Sequence, residues 1–259
     1  MLASPKHSRT TVTTSNANRP VALITGGARR LGAAIARALH AAGYDLLLHA
    51  RHSIDAATDL AGELMADSGR VECIQADLQQ DGAAERLVEA AIDRFGRLDV
   101  LVNNASAFYP TPLGSITSAQ VDELFASNAR APLFLTQAAA PWLRRQRGAV
   151  LNMVDIYADR PLPDYLPYCM AKAALVALTY GLARELGPEV RVNAIAPGNI
   201  LWSENMEKAE TPAIVAERTA LQRQGDPDSL AKAARFLLCE ADYVTGQVLR
   251  VDGGRWLFI

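Results

Sequence analysis

A tyrosine and a lysine, Tyr168 and Lys172, stand four residues apart in the second half of the sequence. On a helix this spacing puts both side chains on one face, one turn from each other. The charge of the ammonium group favours a phenolate, so we expect it to lower the pKa of Tyr168 from its ordinary value of about 10. Such a phenol can donate a proton to a carbonyl or an imine. The same spacing is common on ordinary helix surfaces, so its meaning depends on its neighbours.

A carboxylate is predicted to face this pair. Asp155 follows the apolar run 148–154, which is typical of a buried strand, and precedes Tyr168 by thirteen residues. At the end of a strand, opposite a tyrosine and a lysine, Asp155 is a candidate acid or proton relay.

The composition limits the class of protein. The 259 residues are 50% hydrophobic, which is enough for one large core and a single domain. Lys plus Arg number 26 and Asp plus Glu 28, a formal charge of −2 that gives no reason to bind nucleic acid or an anionic membrane. No apolar run approaches the ~18 residues of a membrane span. We therefore expect a small-molecule partner, with neither nucleic acid nor membrane.

The cysteines and the N-terminus suggest the cellular setting. Cys73, Cys169 and Cys239 are far apart and lack metal-ligand spacing, which predicts reduced thiols, no metal site and a cytoplasmic protein. Residues 1–19 are rich in Ser, Thr and Asn and contain no acidic residue. They are interpreted as a disordered leader, with an organellar transit peptide as the alternative. The folded domain is then 20–259.

Short apolar strands alternate with helical stretches of a dozen or more residues, which indicates βαβ units and a parallel sheet in an α/β fold. The predicted strands are 21–25, 45–50, 71–76, 99–102, 148–154, 191–196 and 247–251. One long helix is predicted over 118–144 and a shorter one over 228–238. The polar region 199–225 suits a lid over a substrate pocket.

A glycine-rich turn follows the first strand and opens a helix. Gly26, Gly27 and Gly32 stand in the context that a dinucleotide motif requires. Glycine lets the backbone approach a pyrophosphate closely, and the helix N-terminus offers it free N–H groups. The sequence therefore predicts a dinucleotide cofactor at this turn.

The end of the second strand indicates which cofactor is used. An NAD site usually has an acidic residue here, whereas this chain has His49, Arg51, His52 and Ser53 around Ala50. Arg51 can bind a 2′-phosphate with His52 and Ser53 nearby, which predicts NADPH in preference to NADH. The alternative is a solvated basic turn.

Two further strand ends contribute polar residues to the predicted cofactor site. Asp77, with Leu78 after it, is placed to meet the adenine amino group, although an aspartate before a helical run is also a good N-cap. Asn103, Asn104 and Ala105 end the fourth strand, at the edge of the sheet where ligands bind.

Five motifs stand along the sequence: Thr25-Gly26-x-x-x-x-x-Gly32, Asn103-Asn104-Ala105, Asn128, Tyr168-x-x-x-Lys172 and Pro197-Gly198. Together they resemble the short-chain dehydrogenase/reductase family, and the similarity covers nearly all of 21–254. The resemblance implies a Rossmann fold, a doubly wound seven-stranded parallel sheet with helices on both faces, assembled into a homotetramer. It implies that Asn128 serves a water relay, Tyr168 is the acid and Lys172 holds the nicotinamide ribose. It also implies a cofactor set that includes Arg29, Arg30, Leu31, Ser106, Lys172, Pro197 and Gly198.

Two departures from the family pattern resemble the pteridine reductases within it. The usual catalytic serine is Asp155, and the usual second glycine of the turn is Arg30. The segments 104–113 and 152–155 fit the same subgroup. By this resemblance Arg30 and Ser106 would contact both cofactor phosphate and pterin, and Phe108 would stack on the pterin, as a flat heteroaromatic ring favours.

The expected reaction moves hydride from NADPH to a C=N bond of a pterin or dihydropterin of the biopterin, folate or monapterin type. A ring nitrogen must gain a proton, and a carboxyl group can relay one where serine can only assist by hydrogen bonding. Asp155 and Tyr168 are therefore predicted to deliver the proton and, with Arg30, Ser106 and Phe108, to contact the substrate. The alternatives are a carbonyl or 3-oxoacyl reductase of the same fold and a non-catalytic NADPH-binding regulatory protein.

Overall fold

The computed structural model of the protein describes residues 19–66, 69–200 and 211–259. Seven parallel strands form one sheet in the order β3-β2-β1-β4-β5-β6-β7. They are β1 Val21–Thr25, β2 Asp45–Ala50, β3 Val71–Gln75, β4 Val100–Asn103, β5 Ala149–Met153, β6 Arg191–Pro197 and β7 Val248–Val251. The predicted strands are confirmed, with ends that differ by at most one residue.

Eight α-helices connect the strands within the described ranges. They are α1 Arg30–Ala41, α2 Ile54–Met65, α3 Ala83–Phe95, α4 Ser118–Phe125, α5 Ala131–Gln146, α6 Leu166–Leu186, α7 Pro212–Glu217 and α8 Pro227–Arg235. The helix predicted over 118–144 is α4 and α5, joined by one wider π-helical turn at Ala126–Arg130. A second π turn, Phe236–Glu240, follows α8. Such wide turns are frequent at functional sites, and the first one contains Asn128.

The helices cover both faces of the sheet, as the doubly wound arrangement requires. Ile24 of β1 packs on one face with side chains of α1, α2 and α8. Leu23, its neighbour in the strand, packs on the other face with side chains of α3, α5 and α6. Adjacent residues of a strand point to opposite faces, so a strand buried on both faces is apolar throughout. The α/β prediction is confirmed.

The strand order reverses between β1 and β4, which both pair with their neighbours in parallel. In an open α/β sheet, ligands bind beyond the carboxyl ends of the strands at such a reversal. Asn104, directly after β4, meets the glycine turn after β1 at this point.

Among the described residues, one helix, α6, has the length and apolar character of a membrane span, with a mean hydropathy of 1.3 over its most apolar window. The expectation that no run reaches this length was too strict. The helix packs against β6, and its Leu182 and Leu186 lie in the same core cluster as Leu23, on one face of the sheet. An apolar composition is also what a core helix needs.

The predicted leader and lid lie partly outside the described residues, which omit 1–18 and 201–210. Arg19, which the sequence placed in the leader, forms an ion pair with Asp45 at 3.1 Å. Within the predicted lid, α7 follows the omitted residues.

Candidate active site

The structure brings together the three residues expected to handle protons. The Tyr168 hydroxyl donates to Asp155 Oδ2 at 2.7 Å. Lys172 Nζ donates to the carbonyl oxygen of Met153 at 2.8 Å and lies 5.6 Å from the centroid of the Tyr168 ring. Tyr168 and Lys172 are 4% and 3% exposed, so both side chains are buried beside the carboxyl end of β5.

Two local features fix this geometry. Asp155 precedes the short 3₁₀ turn Ile156–Ala158, and its Oδ1 accepts a hydrogen bond from the Tyr157 N–H at 3.0 Å. Tyr168 and Lys172 lie in the first two turns of α6, which starts with a proline in its first turn. Proline is tolerated there because its missing N–H would have no partner within the helix. The strand end thus holds the carboxyl and the helix start holds the phenol.

Burial governs the proton affinities at the site. It raises the pKa of Asp155 above its ordinary value, against the opposing effects of the Tyr157 N–H, the Tyr168 hydroxyl and the charge of Lys172. Burial first, and then the charge of Asp155, raises the pKa of Tyr168 well above its ordinary value. Burial lowers the pKa of Lys172 to about 8, although Asp155 opposes this.

The expected lowering of the Tyr168 pKa by Lys172 was therefore wrong. The lysine ammonium donates a hydrogen bond to a backbone carbonyl, while the phenol is buried and hydrogen-bonded to the carboxylate of Asp155. Both effects disfavour the phenolate. The hydroxyl of Tyr168 and the carboxyl of Asp155 instead form a coupled pair that retains a proton, and such a pair can deliver it to a neighbouring acceptor.

Aromatic rings form one wall of the site. Phe108 stacks on Tyr165 with ring centroids 4.5 Å apart and planes 15° from parallel. It meets Tyr168 in a T-shaped contact, with centroids 4.7 Å apart and planes at 75°. A planar ligand that stacks on Phe108 can use only the face that Tyr165 does not cover. Sequence reasoning missed Tyr165, although it stands only three residues before Tyr168.

Asn128 joins the π turn to the segment that carries Phe108. Its side-chain amide donates to the carbonyl oxygens of Leu124 and Ala107 at 2.9 and 3.0 Å. Its Oδ1 accepts from the Ser106 hydroxyl at 2.6 Å. Asn128 is fully buried, so its side chain holds the wall of the site in place. Its role in a water relay stays a prediction.

The glycine turn has the close backbone contacts that its sequence predicts. Gly26 has a φ of +60°, and a Cβ on Gly32 would lie 2.1 Å from the Gly26 carbonyl oxygen. Asn104 Nδ2 donates to the carbonyl oxygens of Thr25 and Gly26 at 2.9 and 3.0 Å. Arg30 stands at the family's glycine position with a φ of +53°, so its backbone keeps the left-handed conformation without a glycine.

An open cleft of about 360 Å³ lies beside this turn. Most of the residues predicted to bind the cofactor line it: Gly26, Arg29, His49, Arg51, His52, Ser53, Asp77, Leu78, Ala105 and Ser106. The other lining residues were missed by sequence reasoning: Ala28, Ala50, Gln79, Ala107 and Ser127. Each of these adjoins a residue singled out in the sequence, and this adjacency was the available signal.

Several residues of the predicted cofactor set do not line this cleft. Asn103 is buried, and its Nδ2 donates to Asn152 Oδ1 at 2.9 Å between β4 and β5. Leu31 of α1 packs against the hydrophobic core. Pro197 ends β6, and a Cβ on Gly198 would lie 2.6 Å from the Cβ of Asp252. Lys172 and Asn104 have the contacts given above, and any direct contact of this group with a cofactor stays a prediction.

His49 is buried next to the glycine turn and accepts a hydrogen bond from it. It is 2% exposed, its Nδ1 lies 3.3 Å from the Gly26 N–H, and its Nε2 lies 3.0 Å from the Ala76 carbonyl oxygen. These partners require the neutral tautomer with its proton on Nε2. Burial lowers the pKa of His49, in agreement with a neutral ring.

The residue predicted to bind a 2′-phosphate is paired with the residue predicted to meet adenine. Arg51 Nη2 lies 3.1 Å from Asp77 Oδ2, and both side chains are partly exposed at the cleft. Asp77 Oδ1 accepts from the Gln79 N–H at 3.1 Å. Asp77 therefore caps the turn after β3; the alternative that it caps the next helix was wrong, because the residue before α3 is Gly82.

Within the described ranges, no group of three or more His, Cys, Asp or Glu side chains is placed to hold a metal ion. Cys73, Cys169 and Cys239 are free thiols, partly buried, buried and exposed in that order.

Fold and site together define a dinucleotide-dependent oxidoreductase, with a glycine turn at the sheet reversal and a tyrosine, a lysine and an acid beyond β5. A family model described as enoyl-(acyl carrier protein) reductase matches residues 26–255. The chain belongs to the short-chain dehydrogenase/reductase family.

Curated relatives in this family have different activities. Pteridine reductase 1 of Leishmania tarentolae is 37% identical over 282 residues, which cover 93% of this chain and 98% of the relative. The 3-oxoacyl-[acyl-carrier-protein] reductase of Synechocystis sp. is 31% identical over 242 residues, covering 92% of this chain and 97% of the relative.

Solved structures support the same family. A blue fluorescent protein from a metagenomic library, in complex with NADPH, has a TM-score of 0.86 and 36% identity, covering 93% of this chain and 99% of that one. FolM alternative dihydrofolate reductase 1 from Brucella canis, complexed with NADP, has a TM-score of 0.83 and 34% identity, covering 93% of this chain and 95% of that one.

Proposed function

We propose that the protein is an NADPH-dependent pteridine reductase that reduces a C=N bond of a pterin or dihydropterin. The observation that carries this proposal is the 2.7 Å hydrogen bond from Tyr168 to an aspartate where the family usually has serine. Reduction of an imine leaves a ring nitrogen that must gain a proton. A serine hydroxyl can only orient the phenol, whereas the carboxyl of Asp155 has a raised pKa and can hold and transfer that proton.

The glycine turn and its cleft fit a dinucleotide. Gly26 and Gly32 keep the backbone clear of side chains where a pyrophosphate would approach. NADPH supplies the hydride when it is bound. Arg29 and Ser53 line the same cleft, and its rim contributes the guanidinium of Arg51. The NADPH and NADP in the related structures support this choice of cofactor.

Replacing Arg51 by alanine should lower kcat/KM for NADPH about 10- to 100-fold and leave kcat/KM for NADH nearly unchanged. A charge-assisted bond to the 2′-phosphate contributes about 1.5–3 kcal/mol, and each 1.4 kcal/mol is a tenfold change. Steady-state kinetics with both cofactors measures this. Arg37→Ala is the control, because Arg37 is exposed and paired with Glu63 outside the cleft. Equal loss with both cofactors, or wild-type NADH activity equal to that with NADPH, contradicts the assignment.

The wall beside Tyr168 supports a flat substrate. Phe108 already stacks on one aromatic ring, so a pterin on its other face would extend an aromatic stack. Ser106 lines the cofactor cleft and stands two residues before Phe108 in the chain, which supports the assignment of Ser106 to both cofactor and pterin. Arg30 joins this set by the family resemblance alone. We also propose a homotetramer in the cytoplasm, from the family resemblance and the unpaired cysteines.

The second candidate is a carbonyl or 3-oxoacyl reductase, which the Synechocystis relative favours. A ketone becomes an alkoxide that Tyr168 alone can protonate, so Asp155 has no evident use in that reaction.

An assay of NADPH consumption separates these functions. We expect the purified chain to oxidise NADPH with dihydrobiopterin or dihydrofolate at a kcat/KM at least about tenfold above that with a simple diketone. Activity with the diketone alone would identify a carbonyl reductase. NADPH binding without consumption in any of the three reactions would identify a regulatory binder.

A further inference from the structure

The short turn that begins at Asp155 is attached at its far end to the C-terminal segment. Arg160 lies just after this turn, and its guanidinium carbon is 4.4 Å from the centroid of the Trp256 ring. Arg160 Nη1 also donates to the carbonyl oxygen of Ile259, the last residue. A guanidinium group at this distance from an indole is held by a cation–π interaction.

A second arginine attaches the same indole to the sheet. The guanidinium carbon of Arg250 on β7 is 4.3 Å from the centroid of the Trp256 ring. Arg250 Nη2 also lies 3.2 Å from Asp159 Oδ2, next to the turn. Trp256 and Asp159 are thus linked through Arg250, in parallel with the link through Arg160.

The C-terminal segment is itself fixed in place. Asp252 Oδ2 accepts from the backbone N–H of Trp256 at 2.8 Å, and Asp252 Oδ1 accepts from the backbone N–H of Gly254 at 3.0 Å. Beneath the turn, the buried side chain of Ile156 belongs to an apolar cluster on which Trp256 and Ile259 pack. The indole is therefore connected to the turn by the arginine that follows it and by the apolar cluster that contains Ile156.

The orientation of Asp155 depends on this turn. Its Oδ1 accepts from the Tyr157 N–H at 3.0 Å, which leaves Oδ2 directed to Tyr168. The turn Ile156–Ala158 is a three-residue 3₁₀ turn, and such turns have poor hydrogen-bond geometry of their own. Contacts made by the residues that follow the turn can therefore contribute to its position.

We propose that Trp256 is a positioning residue for the proton-delivery pair: with Arg160 and Arg250 it holds the turn that orients the carboxyl of Asp155 towards Tyr168. The proposal rests on the proposed function only for the choice of substrate. Trp256 contacts neither member of the pair directly, so it acts through the turn.

Trp256→Ala should lower kcat with the pterin about 10- to 100-fold, the loss expected from a small misplacement of a reacting group, while KM for NADPH stays unchanged. Trp256→Phe keeps a ring for both guanidinium groups and should recover most of this loss. Leu257→Ala is the matched control, because Leu257 is the next residue and is 67% exposed. Wild-type kcat in Trp256→Ala, or equal loss in the alanine and phenylalanine variants, overturns the proposal.

A substrate-free measurement keeps this test separate from the proposed function. Carbon NMR of protein labelled at the aspartate carboxyls follows the titration of Asp155, assigned with Asp155→Asn. The titratable groups that face Asp155 are Tyr168, Lys172 and Cys169 of α6, and the phenol of Tyr157 acts on Tyr168.

Loosening the turn admits water, which lowers the pKa of Asp155, and weakens its hydrogen bonds from the Tyr157 N–H and the Tyr168 hydroxyl, which raises that pKa. The titration curve of Asp155 should therefore differ between Trp256→Ala and the wild type, and an unchanged curve overturns the proposal, whether or not pterins are substrates. Arg160→Ala, a change at an exposed side chain, should give a smaller shift in the same direction and provides a second variant if Trp256→Ala does not fold. No shift in Arg160→Ala also counts against the proposal.

Discussion

Replacing Tyr168 by phenylalanine should lower kcat for the pterin about 10²- to 10⁴-fold, the range for loss of a general acid. The phenylalanine ring keeps the T-shaped contact with Phe108, so the wall of the site remains. The proton that Tyr168 donates to Asp155 Oδ2 is lost with the hydroxyl. KM for NADPH should change little, because Tyr168 and Asp155 lie at the end of β5 and do not line the cofactor cleft.

The control for this variant is Tyr180→Phe. Tyr180 lies on the same helix and is 52% exposed, so its hydroxyl has no part in the site. Single-turnover kinetics with bound NADPH shows whether the loss occurs in the chemical step. Unchanged turnover in Tyr168→Phe would remove the phenol from proton delivery and leave Asp155 as the acid.

The pKa of Tyr168 is raised, although the sequence predicted that it would be lowered. The spacing of Tyr168 and Lys172 predicts that they share a helix face, and the structure has them on one face of α6. The spacing does not give the degree of burial, and burial dominates the pKa of both groups. Nor does it show that the lysine ammonium donates to Met153, a residue nineteen positions earlier in the chain.

The fold was predictable because its signals are local. Apolar strands such as Val21–Thr25 alternate with amphipathic helices, and this rhythm alone implies a parallel sheet. The π turn at Ala126–Arg130 was missed, because the sequence from 118 to 144 was taken as one continuous helix. The ion pair of Arg51 with Asp77 joins the ends of two different strands, so neither residue signals it alone.

Replacing Asp155 by serine should lower kcat for pterin reduction about 10²-fold or more and leave diketone reduction measurable. Serine is the residue that the family resemblance implies at this position, but it cannot carry a proton to a ring nitrogen. Activity with both substrates, measured in parallel, gives the ratio that decides the role of the carboxyl. Asp155→Asn is the isosteric control, since an amide keeps the shape and can still accept from the Tyr157 N–H.

The pH dependence gives the second part of this prediction. The pKa of Asp155 is raised, so its protonated form persists to higher pH than that of an ordinary carboxyl. If that form delivers the proton, pterin kcat falls as pH rises through the raised pKa, and this fall is absent in Asp155→Ser. A raised folded pKa also means that the ionised carboxyl destabilises the fold above that pH. Asp155→Asn should therefore unfold at the same or a higher temperature than the wild type at neutral pH, so that lost activity cannot be attributed to unfolding.

Three outcomes of the Asp155 experiment have different meanings. Loss of pterin reduction with diketone reduction retained supports imine protonation by Asp155. Equal loss of both activities would mean that Asp155 acts by orienting Tyr168, since the phenol serves both substrates. Retention of both activities with a wild-type pH profile would assign proton delivery to Tyr168 alone, and the exchange of serine for aspartate would then have no role in choosing a nitrogen acceptor.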